Sequence, residues 1–522
     1  MRKGRRPPKP SRDSTRRPPA WVAAALLALF ATGLAAWLCR RVFEGIPHIT
    51  DGVSYAFQAR IFASGRLFLP PPPVREAFAV GNIILTESRW ASAHTPGWPA
   101  LLSLGYLLRA PWLVSPLLLG LAVFGVFSLG RTLYDESTGL LGALLLAISP
   151  FALLFGATFL SHVPALCVTV WALEALARGK RTDDARPLLL AGLLAGIAVA
   201  IRMYTAVALL SPAGVWLIWR TAPRAALRRA ALVIAGAALP LLLFAGFNTA
   251  VWGHPLRTGY SVVDPSLRLS GSWGPFRSPL SFLLDHLPRY LVDLNRDSWA
   301  EPWPDLLPLL FLLPRRSRRP GDGLLFASAL GLILAHSVFR FYDEIHAGPR
   351  YVLEALGPLA LLLARGLITA AALLREGLGR LHAPGALAAA LYAAFAGLAL
   401  YFPLGRRLPE LMETNSRAYG GQTLEPLRRP GAEQVGPDAL VLVSSNLQGP
   451  SYSALALLNE LDPTKGRRVY ALDVRDRRDE LVAAYPRDEV WRLSVEVAAR
   501  PPVNRFDAPG FEIRRVVWAR VR

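Results

Sequence analysis

Apolar runs separated by short polar loops follow one another from Ala20 to Leu404, and beyond that the pattern changes. The runs lie near 20–39, 112–130, 139–156, 159–177, 187–201, 203–219, 230–251, 304–314, 322–339, 350–371 and 384–404. A helix that crosses the hydrocarbon core needs about 20 mostly apolar residues. The pattern therefore predicts an α-helical polytopic membrane protein with about 11 transmembrane helices. Runs 187–201 and 304–314 are short and draw on their flanks. Ala20–Leu38 exceeds a typical signal-peptide core and reads as an uncleaved anchor. The stretch 94–108, HTPGWPALLSLGYLL, is broken near its start by Pro96 and Pro99. It predicts a surface-lying or re-entrant helix rather than a span.

Two further segments stand out. His48–Leu69 has a roughly helical apolar pattern (Tyr55, Ala56, Phe57, Ala59, Ile61, Phe62) and predicts a short amphipathic helix at the membrane surface. Asp51 lies at its N-terminal end, where the helix dipole favours a carboxylate. After residue 404, polar sequence carries short apolar stretches at Ala439–Val443, Arg468–Leu472 and Glu489–Val495, with helical pieces near 451–461 and 478–485. These predict a small C-terminal α/β domain over 405–522. It shows no Gly-rich phosphate loop and no metal-ligand spacing, so packing or docking is its expected role.

Charge fixes the expected topology. The formal net charge of the 522 residues is +21. The cations cluster in short loops between apolar runs, which excludes a nucleic-acid-binding reading and fits basic cytoplasmic faces. If 94–108 does not cross, the basic tail 1–19, Arg178–Arg186, Arg220–Arg229, Arg315–Arg319 and Arg375–Arg380 all fall on the cytoplasmic side. The N-terminus is then inside, and 1–19 is a disordered basic tail. Loops 42–111 and 252–303, a tight hairpin around Arg202, the turn 340–351 and the C-terminal domain share the extracytoplasmic side. Cys39 and Cys167 suggest neither a disulfide nor a metal site.

Ionisable residues at membrane depth are costly and point to a site. Asp51, His94, His162, Arg202 and Arg350, with His346 and Tyr351 beside Arg350, all fall at one face under this topology. Singly, each has a bland reading as a helix cap or a snorkelling arginine. Together, one carboxylate opposite several cations suits transfer of a sugar from a lipid phosphate. The carboxylate takes the acceptor hydroxyl proton, and the arginines stabilise the departing phosphate. A phosphate leaves as a stable anion, so one carboxylate suffices, unlike the pair needed for glycoside hydrolysis.

The chain resembles the GT-C type membrane glycosyltransferases, in the branch with protein O-mannosyltransferases, aminoarabinose transferases and their bacterial relatives. The resemblance runs through most of 45–404. It is carried by ITDGVSYAFQARIFASGRL, AHTPGWPALL, GRTLYDESTGLLGALLLAISP, FLSHVPAL, AGLLAGIAVAIRMYTAVALLSP, FNTAVWGHPLRTGY and GPRYVLEALGPLALL, in that order. It implies a GT-C like domain over 20–404 in the bacterial inner membrane and a polyprenyl-phosphate sugar donor. It also implies Asp51 as the catalytic base and His94, Arg202 and Arg350 as members of the donor site. Gly52 follows Asp51 where protein O-mannosyltransferases carry an Asp-Glu pair, which counts against that eukaryotic type. Metal-independent catalysis is expected, because no acidic residue adjoins Asp51. A divalent ion would need Glu76, Glu87, Asp343 or Glu344 brought close. The acceptor is an unspecified hydroxyl on a lipid, glycan or protein. Loop 252–303, with Trp273, Trp299 and Trp303, either contacts it or simply packs over the outer face. A lipid-linked sugar transporter and a non-catalytic envelope-assembly protein are the competing readings.

Overall fold

The computed structural model describes residues 19–263, 279–300, 303–339, 342, 347–380, 385–417, 423–446, 450–501 and 510–522. The tail 1–18 lies outside them, as do His346, Asp343, Glu344 and Trp273.

The chain opens with α1 (Ala20–Arg41) and α2 (Thr50–Ala63). A hairpin of β1 (Ile83–Leu85) and β2 (Trp90–Ser92) leads to α3 (Gly97–Leu107). The bundle continues with α4 (Pro111–Leu133), α5 (Glu136–Ile148), α6 (Pro150–Gly156) and α7 (His162–Thr182). Next come α8 (Ala185–Ile218), α9 (Pro223–Trp252), α10 (Gly259–Val263), α11 (Pro279–Asp297) and α12 (Pro320–Ser337). A 3-10 turn at Arg350–Ala355 runs into α13 (Leu356–Arg380), followed by α14 (Gly385–Leu400) and α15 (Leu408–Arg417). Among the described residues, six helices are long and apolar enough to cross a membrane, or seven if the α5–α6 pair, bent by 63°, counts as one. On α9, Leu227, Ile234, Leu242 and Leu243 are exposed, as expected of a lipid-facing helix.

Two of the predicted runs meet at Arg202. Straight, the 34 residues of α8 would reach about 51 Å. Yet the Arg229 guanidinium touches both Asp183 Oδ1 (2.9 Å), just before α8, and the Leu217 carbonyl (3.5 Å), at its end. Lys180 likewise donates to the Trp216 carbonyl. The two limbs therefore fold back on one another. Their tip is Arg202, where φ is −148° and ψ is 82°. The basic loops around Arg178–Arg186 and Arg220–Arg229 thus gather at the end of the bundle opposite Arg202.

The predicted transmembrane helix at 304–314 is corrected. Pro304, Pro308 and Pro314 remove amide donors and break an α-helix. The chain instead forms a short 3-10 helix at Leu307–Leu312. It still traverses the bundle, from Asp305, which accepts the Trp299 N–H, to Ser317, whose carbonyl accepts from Arg365 of α13.

The predicted amphipathic helix at His48–Leu69 is α2, and it has no open face. Gly52 through Ala59 are all buried, because the C-terminal domain covers the side expected to meet water. That domain comprises β3 (Ala439–Ser445), α16 (Pro450–Ala456), β4 (Arg468–Leu472), α17 (Arg478–Ala484), β5 (Glu489–Arg500) and β6 (Gly510–Arg520). Strand order is β4-β3-β5-β6, with β3 parallel to both neighbours and β6 antiparallel to β5. Alternate residues of β3 face opposite sides of the sheet, and both sides bury residues from the loop after α1. Leu440 and Leu442 pack with Phe57, Ile61, Phe78 and Trp90. Val441 and Val443 pack in a cluster that contains Val53 and Val80. Arg60 of α2 donates to the carbonyls of Leu457 (2.8 Å) and Asn459 (2.6 Å).

Candidate active site

Helix α2 places Asp51 in its first turn, but the side chain does not cap the helix. Ile49 is the N-cap residue and makes no side-chain cap bond. The carboxylate turns sideways instead. Oδ1 accepts from Asn82 Nδ2 at 2.6 Å, and Oδ2 from Arg350 Nη1 at 3.1 Å. Asn82, before β1, has a left-handed φ of 61°, which Asn tolerates better than most residues. Its carbonyl accepts from Ser54 Oγ at 2.6 Å, fixing the turn against α2. Burial alone would push the Asp51 carboxyl up. Arg350 foremost, then His94 and Arg202, together outweigh this and hold it below the ordinary aspartate range. About a quarter of the side chain (24%) remains open, so the carboxylate can be reached from outside.

His94 lies beside this pair. Its ring stacks on Tyr55 with centroids 4.2 Å apart, and Nδ1 meets the Tyr260 hydroxyl at 2.6 Å. Nε2 is 3.9 Å from Asp51 Oδ1, too far for a hydrogen bond. Burial pushes the imidazole down to about 4, so His94 is neutral near pH 7 and is not one of the site's cations.

Arg202 arrives from the α8 tip. Its Nη1 faces Ser161 Oγ (3.3 Å) and His162 Nε2 (3.4 Å) at the start of α7, and its Nε lies 3.1 Å from Glu354 Oε1. The tip is held by α3. Thr95 Oγ1 donates to the Ile201 carbonyl at 2.7 Å, and a Cβ on Gly97 would lie 2.5 Å from the Ala200 carbonyl carbon. Only glycine allows that approach, which accounts for the glycine in HTPGWP. Tyr351 lies between the two arginines, its ring centroid 5.1 Å from Arg350 Cζ and 5.8 Å from Arg202 Cζ. His336 of α12 stacks on the same ring at 5.4 Å.

Asp51, His94, His162, Arg202, Arg350 and Tyr351 therefore converge, although they come from distant parts of the chain. His346 lies outside the described residues. Sequence reading missed Glu354, Asn82, Tyr55, Tyr260, Ser161 and His336. Glu354 left a signal: a lone carboxylate in the apolar run VLEALGPLALL, four residues after Arg350. The two acidic residues that are described among those considered as metal partners lie elsewhere. Glu76 pairs with Arg477 at 2.5 Å, and Glu87 is exposed. Among the described residues, no group of three or more His, Cys, Asp or Glu side chains is placed to hold a metal. Trp299 is buried in the bundle, donating to the Leu145 carbonyl, and Trp303 stacks on Phe395.

Residues 93–249 match the family model described as dolichyl-phosphate-mannose-protein mannosyltransferase. No curated relative matches the chain by sequence. Among solved structures, ArnT from Cupriavidus metallidurans in the apo state is similar at 17% identity and a TM-score of 0.53, covering 91% of this chain and 92% of that one. ArnT bound to undecaprenyl phosphate is similar at 16% identity and a TM-score of 0.51, with the same coverage. The apo oligosaccharyltransferase of Archaeoglobus fulgidus aligns at 14% identity and a TM-score of 0.52, covering 92% of this chain and 69% of that one. The resemblance to GT-C type membrane glycosyltransferases is borne out: the chain is an integral membrane protein with their fold.

Proposed function

We propose that this protein transfers a sugar from a polyprenyl-phosphate donor to a hydroxyl acceptor, with inversion at the anomeric carbon, on the extracytoplasmic side of a bacterial inner membrane. The observation that carries the reading is the arrangement of Asp51 and two arginines around Tyr351, at the bundle end opposite the basic loops. That polarity matches the positive-inside rule with the site outside. The ArnT structure with undecaprenyl phosphate lends the donor class.

Asp51 takes the acceptor proton as the hydroxyl oxygen attacks the anomeric carbon. The bond from that carbon to the phosphate oxygen breaks, and polyprenyl phosphate leaves with the electron pair. Arg202 and Arg350 receive the charge developing on it, and His162 and Tyr351 line the space between them. Arg350 is held by Asp51 at 3.1 Å. A donor phosphate competes for it, loosens that pair and leaves the carboxylate a stronger base once the donor is seated. Neutral His94 shields the base from bulk water. The two guanidinium groups supply the positive charge, so no divalent ion is invoked.

A transporter would leave the donor intact. The test gives purified protein a labelled polyprenyl-phosphate sugar, with chelator present, together with envelope extract from a strain lacking the gene. Label should move to an acceptor with inverted anomeric configuration, and the acceptor should be identifiable by mass spectrometry. Donor that stays whole, or transfer that stops on chelation, contradicts the respective part of the account.

A further inference from the structure

Glu354 is used by no step above, and it is fully buried at the heart of this site. Oε1 lies 3.1 Å from Arg202 Nε and 3.7 Å from His162 Nδ1. Both contacts are charge contacts, since neither Oε1 nor Oε2 has a hydrogen-bond partner among the described residues. A carboxylate that deep is costly unless a cation answers it, so some return on the cost is expected.

Geometry indicates what the return is. A guanidinium presents distinct edges in a rigid plane. Glu354 lies against the Nε side of Arg202, while Nη1 points at Ser161 and His162 beside the Tyr351 ring. The backbone at Arg202 has left helical geometry, with φ −148° and ψ 82°. Nε donates to Thr205 Oγ1 at 3.3 Å within α8. The charged group beside the same Nε, Glu354, comes from the short turn Arg350–Ala355 that also supplies Arg350 and Tyr351. One turn, R-Y-V-L-E, thus furnishes one cation directly and fixes the second through its acid.

We propose that Glu354 is a positioning residue for the donor: it fixes the Nε edge of Arg202 so that the Nη edge faces the donor phosphate. The inference rests on the donor-site reading above. A displacement on the order of 1 Å at a positioned group can cost about 100-fold, so small changes at Glu354 should register.

The test measures donor KM and kcat separately in the full-length protein, for wild type, Glu354→Asp, Glu354→Gln and Arg202→Ala. Glu354→Asp keeps the charge but withdraws the carboxylate by one methylene. Its donor KM should rise about tenfold, equivalent to about 1.4 kcal/mol, with a smaller change in kcat and unchanged thermal stability. Glu354→Gln keeps the reach and an oxygen beside Nε, so its KM should stay within about threefold of wild type. A wild-type KM in Glu354→Asp overturns the inference, and a raised KM in Arg202→Ala would then show that the donor reading still stands. If Glu354→Gln instead lowers KM while Glu354→Asp does not change it, Glu354 balances charge and does not position. If Arg202→Ala leaves KM unchanged, the donor reading fails at Arg202 and the inference fails with it. A purely structural role would lower the amount of folded enzyme and leave KM where it was.

Discussion

The Asp51–Arg350 pair sets the chemistry of the site, and its charge state has a sign that can be tested. Burial raises the Asp51 carboxyl, and Arg350, His94 and Arg202 together lower it further than burial raises it. The base is the ionised form, so activity should be lost only as pH falls through the depressed value, below the ordinary aspartate value of about 3.9. In Arg350→Met the burial remains and the main lowering cause is gone. The acid limb of kcat/KM should therefore move to higher pH, and an unmoved limb would show that Arg350 does not govern the base. His94, held down near 4, should add no titration between pH 6 and 8. At this scale the sequence was informative where polarity stood out against an apolar run, as for Asp51, Arg202 and Arg350. Asn82 and Ser161 left no such mark, because their value comes from a turn and a helix start that only the folded chain brings together. Glu354 did leave one, but it lay inside a segment already assigned to a span.

At the scale of elements, the hairpin tip is the part that had to be built with care. Two short apolar runs on either side of an arginine suggested the fold-back, and the contacts of Arg229 with both ends of α8 bear it out. What holds the tip was not legible, because it depends on how closely α3 approaches. A Cβ on Gly97 would lie 2.6 Å from the Ala200 carbonyl oxygen and 2.7 Å from the Ile201 nitrogen. Gly97→Ala must push α3 and the tip apart and carry Arg202 with it. Donor KM should rise about tenfold or more, while a wild-type KM would mean that the tip tolerates the shift. The helix expected at 304–314 does not form for a local reason: the run is apolar, but Pro304, Pro308 and Pro314 each remove a backbone donor.

Across the whole molecule, the C-terminal domain is more than an appendage of the bundle. Its sheet buries residues of the Asp51-bearing loop on both faces, and Arg60 ties α2 to the Leu457 and Asn459 carbonyls. Strand alternation made β3, β4 and β5 readable in advance. Their partner was not, since Phe57, Ile61 and Trp90 read equally well as membrane-facing. Hydrogen bonds to a charged donor contribute about 1.5–3 kcal/mol each. Arg60→Ala should therefore lower the melting temperature and reduce transfer in parallel, and unaltered stability would separate the domain from the site.

The account stands on Asp51 as the base opposite two phosphate-binding arginines. Its most direct test is a single-turnover assay with labelled polyprenyl-phosphate sugar, comparing wild type with Asp51→Asn while donor binding is measured on the same samples. Asparagine keeps the size of the side chain and can still accept hydrogen bonds, but it cannot take a proton. Transfer should fall by about 100-fold to 10,000-fold with donor affinity retained, whereas transfer at the wild-type rate would remove Asp51 from the chemistry.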